Sequence, residues 1–274
     1  MAGRLGIIAG AGELPKRIAA HANATGREVF VLGLRGFAEK ALMDAYDGAE
    51  AAMGEIGKGI RLLSDAGCKE IVFAGAIKRP DLSALKFDLR GTALIPQLAV
   101  AAGKGDDALL RVVLNAFEKA GFKVIGADDV LGSLLAPTGS LGSRAPKDSD
   151  WPDIRAAAVA ALKLGTQDVA QGAIARGGLV IAREARDGTD AMLGRLAAGN
   201  SSTGVLVKLP KPQQERRIDL PTIGVQTVEG VARAGLAGIA VEAGAALVID
   251  QTQVALAADR LGVFVYGCTK AELG

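Results

Sequence analysis

The sequence predicts an α/β protein: an N-terminal Rossmann-like domain on a parallel sheet, followed by a second, C-terminal α/β domain. Three observations lead there. In the first half, apolar runs of strand length alternate with helical periods, the pattern of a mostly parallel sheet covered by helices. The 274 residues are 50% hydrophobic but only 4% aromatic, with 37 glycines, which suits Ala/Val/Leu/Gly layers rather than an aromatic-rich β-sandwich. A stretch without hydrophobic period, "APTGSLGSRAPKDSDWPD", collects Pro, Gly, Ser and charges in mid-chain. The expected domains are therefore 1–135 and 153–274, joined by a linker over 136–152.

Taken in order, "RLGIIAG" reads as a strand, "LPKRIAAHANATG" as a helix closed by Gly26, and "EVFVLGL" as a second strand. "CKEIVFAGAI" and "FKVIGA" supply further strands, and "ALLRVVLNAFEKAG", with apolar residues 3 and 4 apart, a helix between them. After the linker, "DIRAAAVAALKLG" is a helix. Strands follow at "GGLVIARE", "TGVLVKL", "AGIAVEAG", "ALVID" and "GVFVYG", with helices at "TDAMLGRLAAG" and "TVEGVARAG". No fixed-period repeat is present, so two unlike α/β domains fit better than a solenoid.

Composition narrows the function. A net charge of +2 and few aromatics argue against a nucleic-acid binder, which needs clustered Lys and Arg or stacking rings. Cys68 and Cys268 form no disulfide framework or metal spacing, which suits a reducing cytoplasm. His21 is the only histidine and reads as an exposed position late in the first helix, so a Ser-His-Asp triad and a His-rich zinc site drop out. Any catalytic metal would sit on oxygen ligands, as Mg²⁺ does. The N-terminus does not read as a signal peptide, and no apolar run approaches the length of about 18 residues that spans a bilayer.

Five stretches carry candidate chemistry, each with an ordinary alternative. In "GIIAGAGELP", Gly10 and Gly12 follow a strand and precede a helix, where backbone amides meet a phosphate. The dinucleotide fingerprint is incomplete, since Pro15 stands at the third glycine position and Arg35 near the place of the ribose-binding acid. "FAGAIKRP" presents Lys78 and Arg79 at the carboxyl edge of the sheet, as phosphate partners or a solvated pair. "GKGDDALL" sets Asp106 and Asp107 at a helix start, where capping accounts for one of them. In "REARDGTDAML", Asp187 and Thr189 are N-cap types and Asp190 lies inside the first turn. In "VLVKLPKPQQERRIDLPTIG", Lys208 and Lys211 approach, and Arg216 and Arg217 precede, a single carboxylate, Asp219. Those cations would keep it ionised to bind Mg²⁺ or orient water. On spacing alone it is equally a turn residue in a polar hairpin.

The motifs "GIIAGAGELP", "GKGDDALL", "DGTDAML", "VLVKLPKPQQERRIDLPTIG" and "GLAGIAVEAG", in this order over nearly the whole chain, resemble the LpxI-type UDP-2,3-diacylglucosamine pyrophosphatase family. The resemblance implies a dimeric, Mg²⁺-using enzyme of lipid A biosynthesis, cytoplasmic and peripheral to the inner face of the inner membrane. The Rossmann-like domain would bind the UDP portion and the C-terminal domain the diacylglucosamine portion. Water would attack the α-phosphorus, giving UMP and 2,3-diacylglucosamine 1-phosphate. It makes Asp219 the catalytic and metal-binding carboxylate, with Lys208 or Arg217 offsetting phosphoryl charge. Gly10, Gly12, Leu14, Lys78, Asp106, Asp107, Thr189 and Asp190 would bind substrate. Residues 196–204 and the surroundings of Val225 match no pattern and are assigned no site. The competing expectations are a nicotinamide-dependent oxidoreductase and a nucleotide-sugar-binding module without catalysis.

Overall fold

The computed structural model describes residues 3–77, 84–132, 134–185, 187–196, 202–218 and 220–274. The chain forms two compact units, Met1–Gly132 with Glu215–Asp219, and Ser133–Gln214 with Leu220–Gly274.

The first unit runs β1 (Leu5–Ala9), α1 (Glu13–Ala24), β2 (Val29–Leu34), α2 (Lys40–Ala45), β3 (Gly48–Ala51), α3 (Ile56–Asp65), β4 (Glu70–Ala74), α4 (Leu89–Ala102), α5 (Asp106–Lys119), β5 (Lys123–Ile125) and α6 (Ala127–Val130). Its sheet has the order β3-β2-β1-β4-β5, parallel throughout. β1 is buried along its whole length, as a central strand covered on both faces must be. Side chains alternate across it: Ile8, with Phe30, Leu32 and Ile71, meets α3 and α5 in one core. α1 packs on β1 and β2 with Pro15, Ile18, Ala19 and Ala22 buried. Ile218, far away in sequence, joins the α3/α5 core.

The second unit runs β6 (Gly139–Leu141), α7 (Trp151–Thr166), β7 (Gly172–Arg176), β8 (Leu179–Arg183), α8 (Gly188–Gly194), β9 (Val205–Lys208), β10 (Thr222–Ile223), α9 (Val225–Arg233), β11 (Gly238–Glu242), β12 (Leu247–Val248), α10 (Gln251–Leu261), β13 (Phe264–Cys268) and α11 (Lys270–Leu273). A six-stranded sheet, β6-β13-β11-β9-β7-β8, has β9, β11 and β13 parallel and β6, β7 and β8 antiparallel to their neighbours. α7 covers one face through Ile154, Ala157 and Ala161, while α8, α9 and α10 cover the other.

Two differences from the sequence reading concern connections. Residues 139–141, inside the expected linker, are the strand β6, paired with β13. Three residues, "GSL", are too short to show a period of two. The Leu-Pro-Thr stretch expected as a turn instead leads into β10, which pairs in parallel with β12 and ends at Gly224, the N-cap of α9.

Candidate functional site

At the carboxyl edge of the first sheet, β1 passes into α1 through Gly10, Ala11 and Gly12. The Gly10 amide donates to Ala74 O at 2.8 Å, and Ala11 and Ala76 exchange backbone bonds of 2.9 and 2.8 Å. A side chain at Gly10 would put its Cβ 2.7 Å from Ala76 O, and Gly75, at φ +95°, faces Ala11 O just as closely. Gly10 therefore serves the close approach of two backbones, with its own amide already used. Gly12, also at φ +95°, opens α1, whose first-turn amides at Glu13 and Leu14 have no helical acceptor. An anion of the chain already stands there. Lys16 pairs with Glu39 at 2.6 Å and, with a smaller contribution from the Gly12 N–H, holds its carboxyl below the usual range. Glu39 thus already meets the Gly12 N–H that the sequence offered to a phosphate. Lys78 lies outside the described residues.

Asp106 begins α5, and its side chain is likewise outside the description. Asp107 is 4% exposed; Oδ2 accepts from Arg111 Nε at 2.7 Å and Oδ1 from the Glu215 amide at 2.7 Å. Glu215 in turn takes both Nε and Nη2 of Arg217, at 2.9 and 3.1 Å, while Arg217 Nη1 reaches Glu118 at 2.7 Å. These two carboxylates raise the Arg217 pKa further, and Arg217 holds Glu215 below its ordinary value. Asp107 and Arg217, read as substrate and phosphoryl contacts, are thus parts of a clamp. It fastens the segment before Asp219 onto α5, and Ile218 supplies its apolar foot. Asp219 itself lies outside the described residues.

The second edge gathers other candidates. β9 ends at Lys208, which pairs across the sheet with Gly172, the first residue of β7. Glu184, directly after β8, donates its amide to Gly172 O and accepts from the Gln171 amide through Oε2 at 3.0 Å. Its Oε1 receives the Thr189 hydroxyl at 2.5 Å. Thr189, Glu184 and Lys208 therefore share one end of the sheet, outside the carboxyl end of a parallel strand, where open α/β sheets bind ligands. Lys208 is 6% exposed, and among the described residues its ammonium has one acceptor, Thr222 O at 3.1 Å. Lys211 is different: it is buried against Asp168 at 2.6 Å. Asp190 is exposed and borders a groove between α8 and α9. Asp187, expected as an N-cap, makes no side-chain cap and pairs with Arg195.

Sequence reasoning missed Glu184 and Asp168. The charge that closes "GGLVIARE" was the available sign of the first. The second is a positive-φ aspartate whose partner lies 43 positions on, with nothing local to announce it. As for Mg²⁺, no group of three acids converges among the described residues. That ion takes one or two carboxylates plus phosphate oxygens and water rather than an all-protein cage. Asp219, the carboxylate expected to hold it, lies outside the described residues.

The chain is similar to known proteins along its whole length. A family model described as the LpxI N-terminal domain matches residues 4–134, and one described as the LpxI C-terminal domain matches 137–266. A curated relative from Caulobacter vibrioides, UDP-2,3-diacylglucosamine pyrophosphatase LpxI, is 49% identical over 277 residues, covering 98% of this chain and 99% of its own. Partial likenesses reach solved structures. The Bordetella bronchiseptica enzyme WbmG in complex with NAD is 21% identical, with 44% of this chain and 36% of that one covered at a TM-score of 0.31. UDP-glucose 4-epimerase of Thermus thermophilus in complex with NAD is 14% identical, with 53% and 41% covered at 0.29.

Proposed function

The chain belongs to the LpxI family, and from that membership we propose that it hydrolyses the pyrophosphate bond of UDP-2,3-diacylglucosamine in lipid A synthesis. The observation that carries the chemistry is Lys208. An ammonium has three donors, and its burial is costly unless an anion meets it. With one carbonyl acceptor among the described residues, Lys208 is suited to a phosphoryl oxygen.

In the proposed reaction a water oxygen bonds to the α-phosphorus as the bond from that phosphorus to the bridging oxygen breaks. UMP and 2,3-diacylglucosamine 1-phosphate leave. Asp219 orients the water or takes its proton, and Lys208 balances the charge that grows on the phosphoryl oxygens. Thr189, its hydroxyl hydrogen committed to Glu184, offers its oxygen as an acceptor to a sugar hydroxyl. Gly12 and Leu14 offer first-turn amides to the nucleotide phosphate once Glu39 gives way. Asp219 would hold Mg²⁺, which supplies charge neutralisation on the phosphates when bound. Arg217 holds the segment leading to Asp219. Homodimer formation and transient contact with the cytoplasmic face of the inner membrane complete the reading, on family resemblance. No described helix is long and apolar enough to cross a membrane.

The test is hydrolysis of the substrate in ¹⁸O-water with Mg²⁺, followed by mass analysis of both products. Label in UMP is expected; label in the lipid phosphate reverses the assignment of the attacked phosphorus, and absence of UMP leaves a binding module. The nicotinamide reading is not favoured: Arg35, at the end of β2, lies 3.7 Å from Glu55, so a cation stands where the ribose-binding acid would be.

A further inference from the structure

Glu184, Gly172 and Lys208 form a row across three strands at the end of the second sheet where β9 finishes. Glu184 continues β8, its amide bonded to Gly172 O, and Gly172 stands opposite Lys208. Residues directly opposite on neighbouring strands project to one face, so a side chain on Gly172 would point the way Lys208 points. A Cβ built there would lie 3.1 Å from Glu184 Oε2 and 3.4 Å from its Cδ. The Glu184 carboxylate therefore leans over Gly172 on the face that Lys208 occupies. The Gly172 backbone has no left-handed φ, so the use of glycine at this position comes from the carboxylate above it.

Glu184 is 7% exposed, and a buried carboxylate is costly unless donors meet it. Among the described residues two do: the Gln171 amide donates to Oε2 at 3.0 Å and the Thr189 hydroxyl to Oε1 at 2.5 Å. A carboxylate only accepts, so the Thr189 hydrogen is committed and its lone pairs are left for another donor. Resting on the function proposed above, we infer that Glu184 is a positioning residue that fixes the Thr189 hydroxyl as an acceptor. The site then selects a substrate group that donates, a hydroxyl or an amide N–H, over an ether or ester oxygen. Gly172 is the second part of the arrangement, because it admits the carboxylate that sets this polarity.

Glu184→Gln reverses the polarity while keeping the volume. The Gln171 amide still needs an acceptor, so the glutamine oxygen stays with it and the glutamine nitrogen turns to Thr189. The Thr189 oxygen then receives that N–H, and its own hydrogen faces a substrate group that also donates.

The experiment measures kcat and KM for UMP release by wild type, Glu184→Gln, Thr189→Val and the double variant. Two opposed donors forfeit a buried hydrogen bond, so Glu184→Gln is expected to raise KM about tenfold or more. Its kcat should stay within about twofold, because a contact away from the phosphorus is held alike in the ground and transition states. Thr189→Val should raise KM to a similar extent. Adding Glu184→Gln to it should change KM by less than about twofold, since without the hydroxyl Glu184 has nothing to orient. An undiminished effect of Glu184→Gln in the Thr189→Val background, a loss confined to kcat, or no loss overturns the inference and leaves the proposed hydrolysis standing. Should Glu184→Gln fail to fold by circular dichroism, Gly172→Ala displaces the carboxylate by a few tenths of an ångström with its charge kept. Its increase in KM should likewise vanish when Thr189 is valine, and persistence of the increase overturns the inference. A wild type that releases no UMP overturns the functional reading and this inference together.

Discussion

Lys211 and Asp168 form an ion pair, Nζ to Oδ1 at 2.6 Å, with both side chains less than a tenth exposed. Three positions earlier Lys208 is as deeply buried, yet its ammonium meets only the Thr222 carbonyl among the described residues. Two lysines that read alike in "VKLPKP" therefore differ in their partners, one paired with a carboxylate and the other, proposed above to meet a phosphoryl oxygen, held by a carbonyl.

Lys211→Met should cost stability and Lys208→Met should cost turnover. The first breaks the buried ion pair with Asp168, a loss of roughly 3–5 kcal/mol. The second removes a buried charge with little stability cost and lowers kcat by roughly 10²–10³. Urea denaturation and UMP release measure the two, and a reversed pattern would exchange the roles.

Arg217→Gln and Glu118→Gln should lower kcat to similar extents, and the double variant should be no worse than either. Both act by releasing the segment that leads to Asp219. Each side chain is more than a third exposed, so solvent screening limits the stability loss to roughly 0.2–1 kcal/mol. If Arg217 met phosphate directly, Glu118→Gln would leave turnover intact.

Acid should weaken the fold through Glu215. Its carboxyl, held by Arg217, has a folded pKa below the ordinary 4.5, so the unfolded chain takes up the proton first as pH falls. The stabilisation is complete above 4.5 and disappears as pH drops through the lower folded value. Glu70, held by Lys123 and Arg27, adds in the same direction. Urea midpoints between about pH 3 and 7 should fall less steeply for Glu215→Gln than for wild type.

Neither thiol should react in the native protein. Burial pushes Cys268 up to about 12 and raises Cys68 as well. The thiolate is the reactive form. Alkylation at about pH 8 should therefore follow unfolding, and rapid labelling of native protein would contradict the burial of both.

Much of the first sheet was legible because β1, β2 and β4 are apolar runs long enough to declare a covered strand. β3 was not, since "GAEA" is four residues at a sheet edge without a β-branched side chain. β7 escaped for a related reason: "GAIAR" is largely alanine and glycine. Candidate residues were legible as types but not as partnerships. The bonds that give Asp107 and Arg217 to a clamp join positions 108 and 99 apart, beyond any local pattern. The pair with Asp168, 43 positions away, likewise separates Lys211 from Lys208 only once the chain is folded.

The membership of Glu215–Asp219 in the amino-terminal unit has a consequence for the gene. The polypeptide passes from one unit to the other after Gly132, again after Gln214, and back after Asp219. A stop codon after Gly132 would yield a first unit without its own Ile218 foot and clamp. A cut at that point separates the first unit from a segment of its own, and the residues leading to Asp219 are inherited only with the second.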